Sequence, residues 1–489
     1  METTEKTRTA YHHLALLFWD SQGHQDDIFN QFSNPFLDMS AKMLRIDLYH
    51  LFRYFEYTKI LLPIMLSVLK LWSESIGCKT SISVCREKDV DLNTDADAIG
   101  ISVYTQTAPA AYRISEKLRK RGKVVILGGP HFNSQHTLQE GANHCDVLVK
   151  SVCEQQWKEI LYSIKEKKIT PQQKKAEIIL DSENQFGYPN NLYKSFNDLK
   201  WYQIPLVPTS LGCPYDCDFC SPHLKGKYIL RDINSIFNDI SHIKGRLVGI
   251  CDSNFGLSKT HTIELVKAIA PLKKQLWVQT TIARLKDREF LDIIALGGVK
   301  WIGVGIETLA MEYNKHGGKE IKKTLDDIVY YAHEKGMYIQ GNFICGLDCD
   351  GPDSFHMIYD FYTNSNLNCM FLNILVPYPT TRLYDTFLTE GRIIETNWEH
   401  YDNRHLVYKP KRMTIGQLIK GYVDLYKKIT STKVLYDKAK RIYSIDTLNI
   451  RSSAVVLFNF FTRIDARKKD KLYDKSINDI SKTHNISTL

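Results

Sequence analysis

The chain has 489 residues, 43% of them hydrophobic and 24% charged, which excludes a small secreted scaffold, a collagen-like fibre and a largely disordered protein. Its net charge is +9, and residues 409–441 hold +8 of it, ten Lys and Arg against two Asp. This basic segment lacks the aromatic and glycine residues of a nucleic-acid recognition motif. We interpret it as charged helix surface and do not expect nucleic-acid binding.

The start of the chain, Met1–His13, lacks the apolar core of a secretory signal. The longest apolar runs, Leu61–Leu71 and Ala454–Phe461, are too short or too interrupted to span a bilayer. Eight of the eleven cysteines are scattered, as is typical of buried thiols in a reducing compartment. We therefore expect a cytoplasmic protein without a membrane span.

Strand and helix patterns alternate in the first third of the chain. Short apolar runs predict strands at Leu14–Trp19, Ser81–Cys85, Ala98–Tyr104, Val124–Leu127 and Asp146–Val149. Helical patterns occupy residues 61–72, Ala108–Arg121 and Glu154–Lys165. This order predicts a doubly wound, Rossmann-like parallel sheet over residues 1–168, with ligand-binding loops at the carboxyl ends of its strands. Residues 169–203 are polar and without periodicity, which predicts a linker.

A second alternation fills residues 204–396. The predicted strands are Pro205–Ser210, Leu247–Cys251, Leu276–Thr281, Trp301–Ile306, Tyr338–Cys345 and Phe371–Val376. Predicted helices between them include Thr260–Ile269, Leu325–Lys335 and Asp353–Thr363. Six strand–helix units predict a partial (β/α)6 TIM barrel, whose site lies just after the strands. Residues 397–489 predict a small helical region, with a helix at Ile415–Ile429 and a frayed end.

Three cysteines, Cys213, Cys217 and Cys220, follow the first barrel strand in the spacing C-x3-C-x2-C. Thiolates this close on one loop can converge on one metal centre, and three are one ligand short of a filled iron–sulfur cubane. The remaining iron would stay open to a substrate or cofactor, as the open position of catalytic zinc does. Because His223 follows at C-x2-H, a closed zinc site made by these four residues is the alternative.

This motif after the first strand of a partial barrel resembles the radical S-adenosylmethionine (SAM) superfamily. The later strands end in CDSNFG, GVGIETL, NFICGLD and LVPYPTTRLYD, which are similar to the family's DDNF, GIES, adenine-binding glycine and PYPGTPLYE segments. The resemblance implies SAM contacts at Phe219, Asp252, Asn254, Glu307, Thr308, Ile344, Gly346 and Val376.

The resemblance also implies a chemistry. A [4Fe–4S] cluster on the three cysteines would bind SAM through its amino and carboxylate groups and pass one electron to it. The resulting 5′-deoxyadenosyl radical would abstract hydrogen from a small-molecule substrate, while the protein orients the reactants and excludes water. An electron donor such as flavodoxin or ferredoxin is the implied partner.

The amino-terminal segments AIGISVYTQTAPAAY and VVILGGPHF resemble the cobalamin-binding domain fused to many radical SAM enzymes. The resemblance implies cobalamin contacts at Tyr104, Thr105, Gln106, Thr107, Gly128, Gly129, Pro130, His131 and Glu154. In the segment KSVCEQQW only Glu154 matches the family's rGEGE turn. No Asp-x-His-x-x-Gly motif occurs in the chain, so we expect no histidine of that motif on cobalt.

Taken together, these features predict a cobalamin-dependent radical SAM enzyme. The leading hypothesis is a methyltransferase that acts on an unactivated carbon. A non-methylating cyclase or rearrangement enzyme of the same architecture is the first alternative. A zinc-binding interaction protein without enzyme activity, and an amino-terminal sheet that has lost its ligand and serves as a lid, are the others.

Overall fold

A computed structural model describes residues 43–51, 64–172, 176–179, 188–189, 192–193, 203–220, 227–310, 317–445 and 459, and the structural statements below concern these residues. They fall into two compact units, whose boundary in the chain lies between Leu192 and Tyr193. Within these residues no helix is long and apolar enough to cross a bilayer. The predicted strand Leu14–Trp19 lies outside them.

The first unit contains a six-stranded parallel sheet in the order β2-β1-β3-β4-β5-β6. Its strands are β1 Arg45–Leu51, β2 Lys79–Cys85, β3 Ala98–Ser102, β4 Val124–Gly128, β5 Val147–Val149 and β6 Glu177–Ile179. Its helices are α1 Ile64–Glu74, α2 Ala108–Arg119, α3 Gln135–Ala142 and α4 Glu154–Lys165. The predicted parallel architecture is confirmed.

Burial in this unit follows from the parallel sheet. The first four residues of β3 and of β4 are buried without alternation, because helices can cover both faces of such a sheet. Helix α4 buries Trp157, Ile160, Leu161 and Ile164 along one face. The indole Nε1 of Trp157 donates to the Ser73 hydroxyl of α1 at 2.9 Å, so this large buried side chain is also hydrogen-bonded.

The second unit contains a six-stranded parallel sheet in the order β14-β13-β12-β11-β10-β7, which is the chain order that a partial barrel requires. The strands are β7 Leu206–Val207, β10 Leu247–Ile250, β11 Gln275–Thr281, β12 Val299–Glu307, β13 Tyr338–Cys345 and β14 Cys369–Ile374. Strands β8 Ser210–Gly212 and β9 Tyr228–Leu230 form a separate antiparallel hairpin.

Helices follow the barrel strands and continue beyond the last one. They are α5 Ile233–His242, α6 Lys259–Ile269, α7 Ile282–Leu285, α8 Arg288–Leu296, α9 Gly317–Glu334, α10 Ser354–Asn364, α11 Arg382–Thr389, α12 Ile415–Ile429 and α13 Thr432–Ile445. One strand face packs on helices: the Phe343 ring of β13 meets Phe361 of α10 edge to face at 5.7 Å. Residues at alternate positions lie on the opposite, inner face.

The two last helices complete this unit. The Tyr422 hydroxyl of α12 donates to the Leu372 carbonyl of the edge strand β14 at 2.9 Å. Ile442 of α13 packs with Tyr338 and Trp301, which are paired at the amino ends of β13 and β12. The carboxy-terminal helices therefore cover a sheet edge and an aromatic pair that would otherwise be left bare.

Candidate functional site

The loop with the three cysteines begins after the hairpin strand β8, where Gly212 has φ of 80°. Cys213 is half-buried, Cys217 and Cys220 are exposed, and none of the three forms a disulfide. The Cys220 N–H donates to the Cys217 carbonyl at 3.2 Å, so these two cysteines share one tight turn, and Phe219 lies half-buried between them.

Throughout the part of the chain that the structure describes, these thiols included, no three His, Cys, Asp or Glu side chains are arranged to hold a metal. Metal binding is coupled to folding, so a loop can complete its metal site only when the ion binds. Three cysteines without disulfides on one eight-residue loop match a cluster in the type and number of their donors. Their role as ligands stays a prediction, and His223 lies outside the described residues.

Asp252, which follows β10, is fully engaged with the chain that leads to this loop. One carboxylate oxygen accepts the Thr209 and Ser210 N–H groups at 2.6 and 3.0 Å. The other accepts the Thr209 hydroxyl, and the Ser210 hydroxyl at 2.8 Å. Burial raises the pKa of Asp252, and these four donors act in the opposite direction. The geometry makes Asp252 a support for the cysteine loop, and a contact with SAM stays a prediction.

Asn254, two residues further on, is buried, and its carbonyl oxygen accepts the Thr280 hydroxyl of β11 at 3.3 Å. This bond ties the loop after the second barrel strand to the third strand. On the other side of the barrel, Val376 is buried just beyond β14. Ile344 is half-buried on the inner face of β13.

Glu307 ends β12 in a conformation that side chains rarely adopt, with φ of 64°. A Cβ added at Gly305 would lie 2.5 Å from Glu307 Oε1, so this carboxylate folds back over Gly305 on the inner face. Burial raises the pKa of Glu307 to about 7. Among the described residues the carboxylate has neither a hydrogen bond nor an ion pair. A half-buried, strained and unpaired acid is typical of a ligand site.

The neighbouring Thr308 belongs to a network that joins the fourth and fifth strand ends. Its hydroxyl donates to Asp350 Oδ1 at 2.8 Å, and Asp350 Oδ2 accepts the N–H groups of Gly346 and Leu347 at 2.9 and 3.0 Å. The Tyr408 hydroxyl donates to the Gly346 carbonyl at 2.5 Å. The sequence pointed to Thr308 and Gly346 but gave no sign of Asp350 or Tyr408, which hold them.

Three amide side chains that the sequence did not single out meet on the inner face, and we call Gln279, Gln340 and Asn342 the amide cluster. A Cβ added at Gly303 would lie 3.3 Å from Gln279 Cγ, 3.6 Å from Asn342 Nδ2 and 3.7 Å from Gln340 Nε2. One hydrogen bond, from Gln340 Nε2 to Asn342 Oδ1 at 2.8 Å, joins them. Their other donors and acceptors are open to a ligand. The polar alternation in YIQGNFIC was the available signal.

In the first unit, the predicted cobalamin residues lie at the carboxyl ends of β3, β4 and β5. Tyr104, Pro130 and Glu154 are exposed, and Gln106, Gly128 and Gly129 are half-buried. Thr105, Thr107 and His131 are buried. His131 Nδ1 lies 3.3 Å from the Thr105 hydroxyl, so these two predicted residues are brought together.

Two details refine these predictions. Burial lowers the pKa of His131 to about 3, so the imidazole is neutral, and its complete burial keeps it from the rim surface. Gly129 has φ of 122°, and a Cβ there would lie 2.6 Å from the Val103 carbonyl oxygen. The turn itself therefore requires this glycine, whatever ligand binds above it. Glu154 opens α4 and pairs with Lys158 at 2.6 Å.

Residues 207–362 match the family model of the radical SAM superfamily. The chain contains a radical SAM domain. The match runs from β7 into α10, and it includes the cysteine loop and Glu307. This family implies a [4Fe–4S] cluster and SAM.

Similar proteins extend the comparison beyond the radical SAM domain. Bacteriochlorophyllide d C-12(1)-methyltransferase of Chlorobaculum tepidum is 24% identical over 348 residues, 68% of this chain and 74% of that protein. The C-8(2)-methyltransferase of the same organism is 24% identical over 403 residues, 76% of this chain and 88% of that protein. A solved structure of the radical SAM methyltransferase TsrM from Kitasatospora setae, with cobalamin and a [4Fe–4S] cluster bound, shares the fold. Its TM-score is 0.59 at 15% identity, over 87% of this chain and all of TsrM.

Proposed function

We propose that this radical SAM enzyme is a cobalamin-dependent methyltransferase that acts on an unactivated carbon of a small molecule. The observation that carries the proposal is the radical SAM match over a parallel barrel whose first rim loop holds Cys213, Cys217 and Cys220. Similarity to two methyltransferases over most of their length supports methyl transfer rather than cyclisation or rearrangement.

The three cysteines are the proposed cluster ligands. When bound, the cluster supplies the electron that cleaves SAM, and cobalamin carries the methyl group. The loop would supply sulfur ligands that a cluster can reach, since Cys217 and Cys220 are exposed and form no disulfide. Asp252 holds the chain just before them by four hydrogen bonds.

Glu307 is the proposed partner of the SAM cation, whose sulfonium would keep its positive charge while the amino group binds iron. Its half-buried carboxylate has no cation beside it among the described residues, and a bound cation would favour its charged form. Thr308 and Gly346, held through Asp350, fix the rim beside it. The amide cluster offers uncharged hydrogen bonds to polar groups of SAM or substrate on the inner face.

The loops at the carboxyl ends of β3, β4 and β5 are the proposed cobalamin site. Exposed Tyr104, Pro130 and Glu154 would contact the ligand, and Thr105 with His131 would support the loops from below. Because His131 is buried, we propose that this loop gives cobalt no histidine ligand. A cytoplasmic location and a flavodoxin or ferredoxin as electron donor complete the proposal.

The test is anaerobic reconstitution with iron and sulfide, followed by reduction with methyl-labelled SAM in the presence and absence of cobalamin. We expect a brown protein that releases 5′-deoxyadenosine and, with cobalamin, S-adenosylhomocysteine. Cys217→Ala should lose the colour and both products. Cys85→Ala, a half-buried cysteine on β2 of the first unit and outside the motif, should keep them. A colourless protein that retains zinc would establish the interaction-protein alternative instead.

A further inference from the structure

Arg382, the first residue of α11, reaches the cysteine loop with its whole guanidinium group. Its Nε and Nη2 donate to Asp218 Oδ1 at 2.9 and 2.6 Å, and Nη2 also donates to the Asp216 carbonyl at 2.9 Å. Its Nη1 pairs with the Asp216 carboxylate. The adjacent Leu383 N–H donates to the Asp218 carbonyl at 3.2 Å.

These contacts fall inside the metal-binding motif itself. Asp216 lies between the first and second cysteine, and Asp218 lies between the second and third. One guanidinium group therefore binds a residue in each of the two stretches between the cysteines. The planar fork of arginine suits this task, because it offers several N–H donors at fixed angles, whereas lysine offers one point charge.

The helix does not need an arginine at this position. Thr381 is its N-cap, with a hydroxyl that accepts the Tyr384 N–H at 3.2 Å, and Arg382 is the first helical residue. Proline is well suited to that position, because its missing N–H has no helical partner. The segment PYPTTRLYD carries arginine where the family pattern PYPGTPLYE carries proline. The reason for Arg382 therefore lies in its contacts with Asp216 and Asp218.

We propose that Arg382 is a positioning residue for the cluster, and this rests on the proposed function only in requiring that a cluster binds. By holding Asp216 and Asp218 it restricts the motif's two intervals, so fewer loop conformations must be given up when the thiolates bind iron. Its positive charge also favours the reduced, more negative cluster and thus raises the reduction potential. Exposed ion pairs add little to folding stability, so the effect belongs to the loop and not to the fold.

Three changes separate these contributions. Arg382→Lys keeps the charge but loses the fork, and Arg382→Pro loses both while suiting the helix start. The third change, Arg382→Asp, is made alone and in combination with Asp218→Arg, which reverses one pair. Lys259→Gln is the matched control, because Lys259 is a half-exposed residue that also joins two carboxylates, those of Asp287 and Glu289, outside the cysteine loop.

The measurements on the reconstituted full chain are iron and sulfide per chain, the rate of iron loss to a chelator, and the midpoint potential. We expect Arg382→Lys to lose iron several-fold faster at an unchanged potential. Arg382→Pro should lose iron faster and have a lower potential. The reversed pair should retain iron better than Arg382→Asp alone, and the control should equal wild type. Circular dichroism identifies any variant that fails to fold.

Two results would count against this assignment in different ways. Suppose that wild type takes up a cluster, and that the Lys and Pro variants retain iron and have midpoint potentials equal to that of wild type. Arg382 then has no positioning role, and the proposed function stands. If wild type takes up no iron under any condition, the proposed function and this inference fall together.

Discussion

Replacing Glu307 with Gln removes a half-buried ionisable group while keeping the size of the side chain and its backbone conformation. Burial raises the pKa of Glu307 from its ordinary value of 4.5 to about 7, and no described residue pairs with it. The folded protein therefore keeps a proton at pH values where the unfolded chain has released it. Stability from this group is present below pH 4.5 and is lost as the pH rises towards 7.

The size of the effect follows from that difference in pKa. About 2.5 units at about 1.4 kcal/mol per unit give a loss of up to about 3 kcal/mol in wild type above pH 7. The Gln variant escapes this loss. We expect it to be more stable than wild type by up to about 3 kcal/mol at pH 8 and by no more than about 1 kcal/mol at pH 5.

Urea unfolding of the cluster-free protein at pH 5 and pH 8 measures this difference, and Glu264→Gln, an exposed change on α6, is the control. The same substitution should weaken SAM binding to the reconstituted protein at pH 8, because the cation loses its partner. A Gln variant that is less stable than wild type at pH 8 would refute the reasoning, since it would reveal a stabilising partner of the carboxylate.

Three further substitutions test the supports of the site. Asp252→Asn replaces a carboxylate oxygen that accepts two hydrogen bonds with an NH2 group that donates. The unfolding free energy should fall by about 1–3 kcal/mol, and iron should be lost faster. Unchanged iron retention would show that Asp252 does not support the cysteine loop. Gly346→Ala places a Cβ against the Tyr408 hydroxyl at φ of 95°, which should cost roughly 2–4 kcal/mol in urea unfolding, whereas Gly351→Ala in open space should not. Gly129→Ala should lower the thermal midpoint more than Gly77→Ala, which shares the positive φ without the clash, and equal losses would contradict the role given to Val103.

The periodicity of apolar residues in the sequence predicted most of the strands and helices. Some helix boundaries were also predicted closely, where capping residues mark them. Helix α12 has the predicted bounds, because Thr414 and Gln417 form a capping box and six buried residues line one face. Strand β1 was not predicted, because its buried Asp47 interrupts the apolar pattern. The Asp47 carboxylate accepts hydrogen bonds from the hydroxyl groups of Ser81, at 2.6 Å, and Thr94. Strand β6, three residues within the predicted linker, was too short to recognise.

The sequence predicted the site residues that lie together in one short motif. It predicted fewer of those that only folding brings together. The cysteine spacing and Glu307 could be found in the sequence, but the strained φ and unpaired state of Glu307 depend on its surroundings. Arg382 and Asp216 are 166 residues apart, so only the folded chain shows their contact. The amide cluster similarly requires the register of three strands.

The family match stops at residue 362, before β14 begins. A gene shortened to the matched stretch would encode a barrel without its sixth strand, without Arg382 and without the helix whose Ile442 covers Trp301 and Tyr338. The bare edge of β13 and two uncovered aromatic rings are surfaces on which neighbouring molecules adhere. Such a fragment would aggregate on expression, so the catalytic unit to produce in the laboratory must continue through α13.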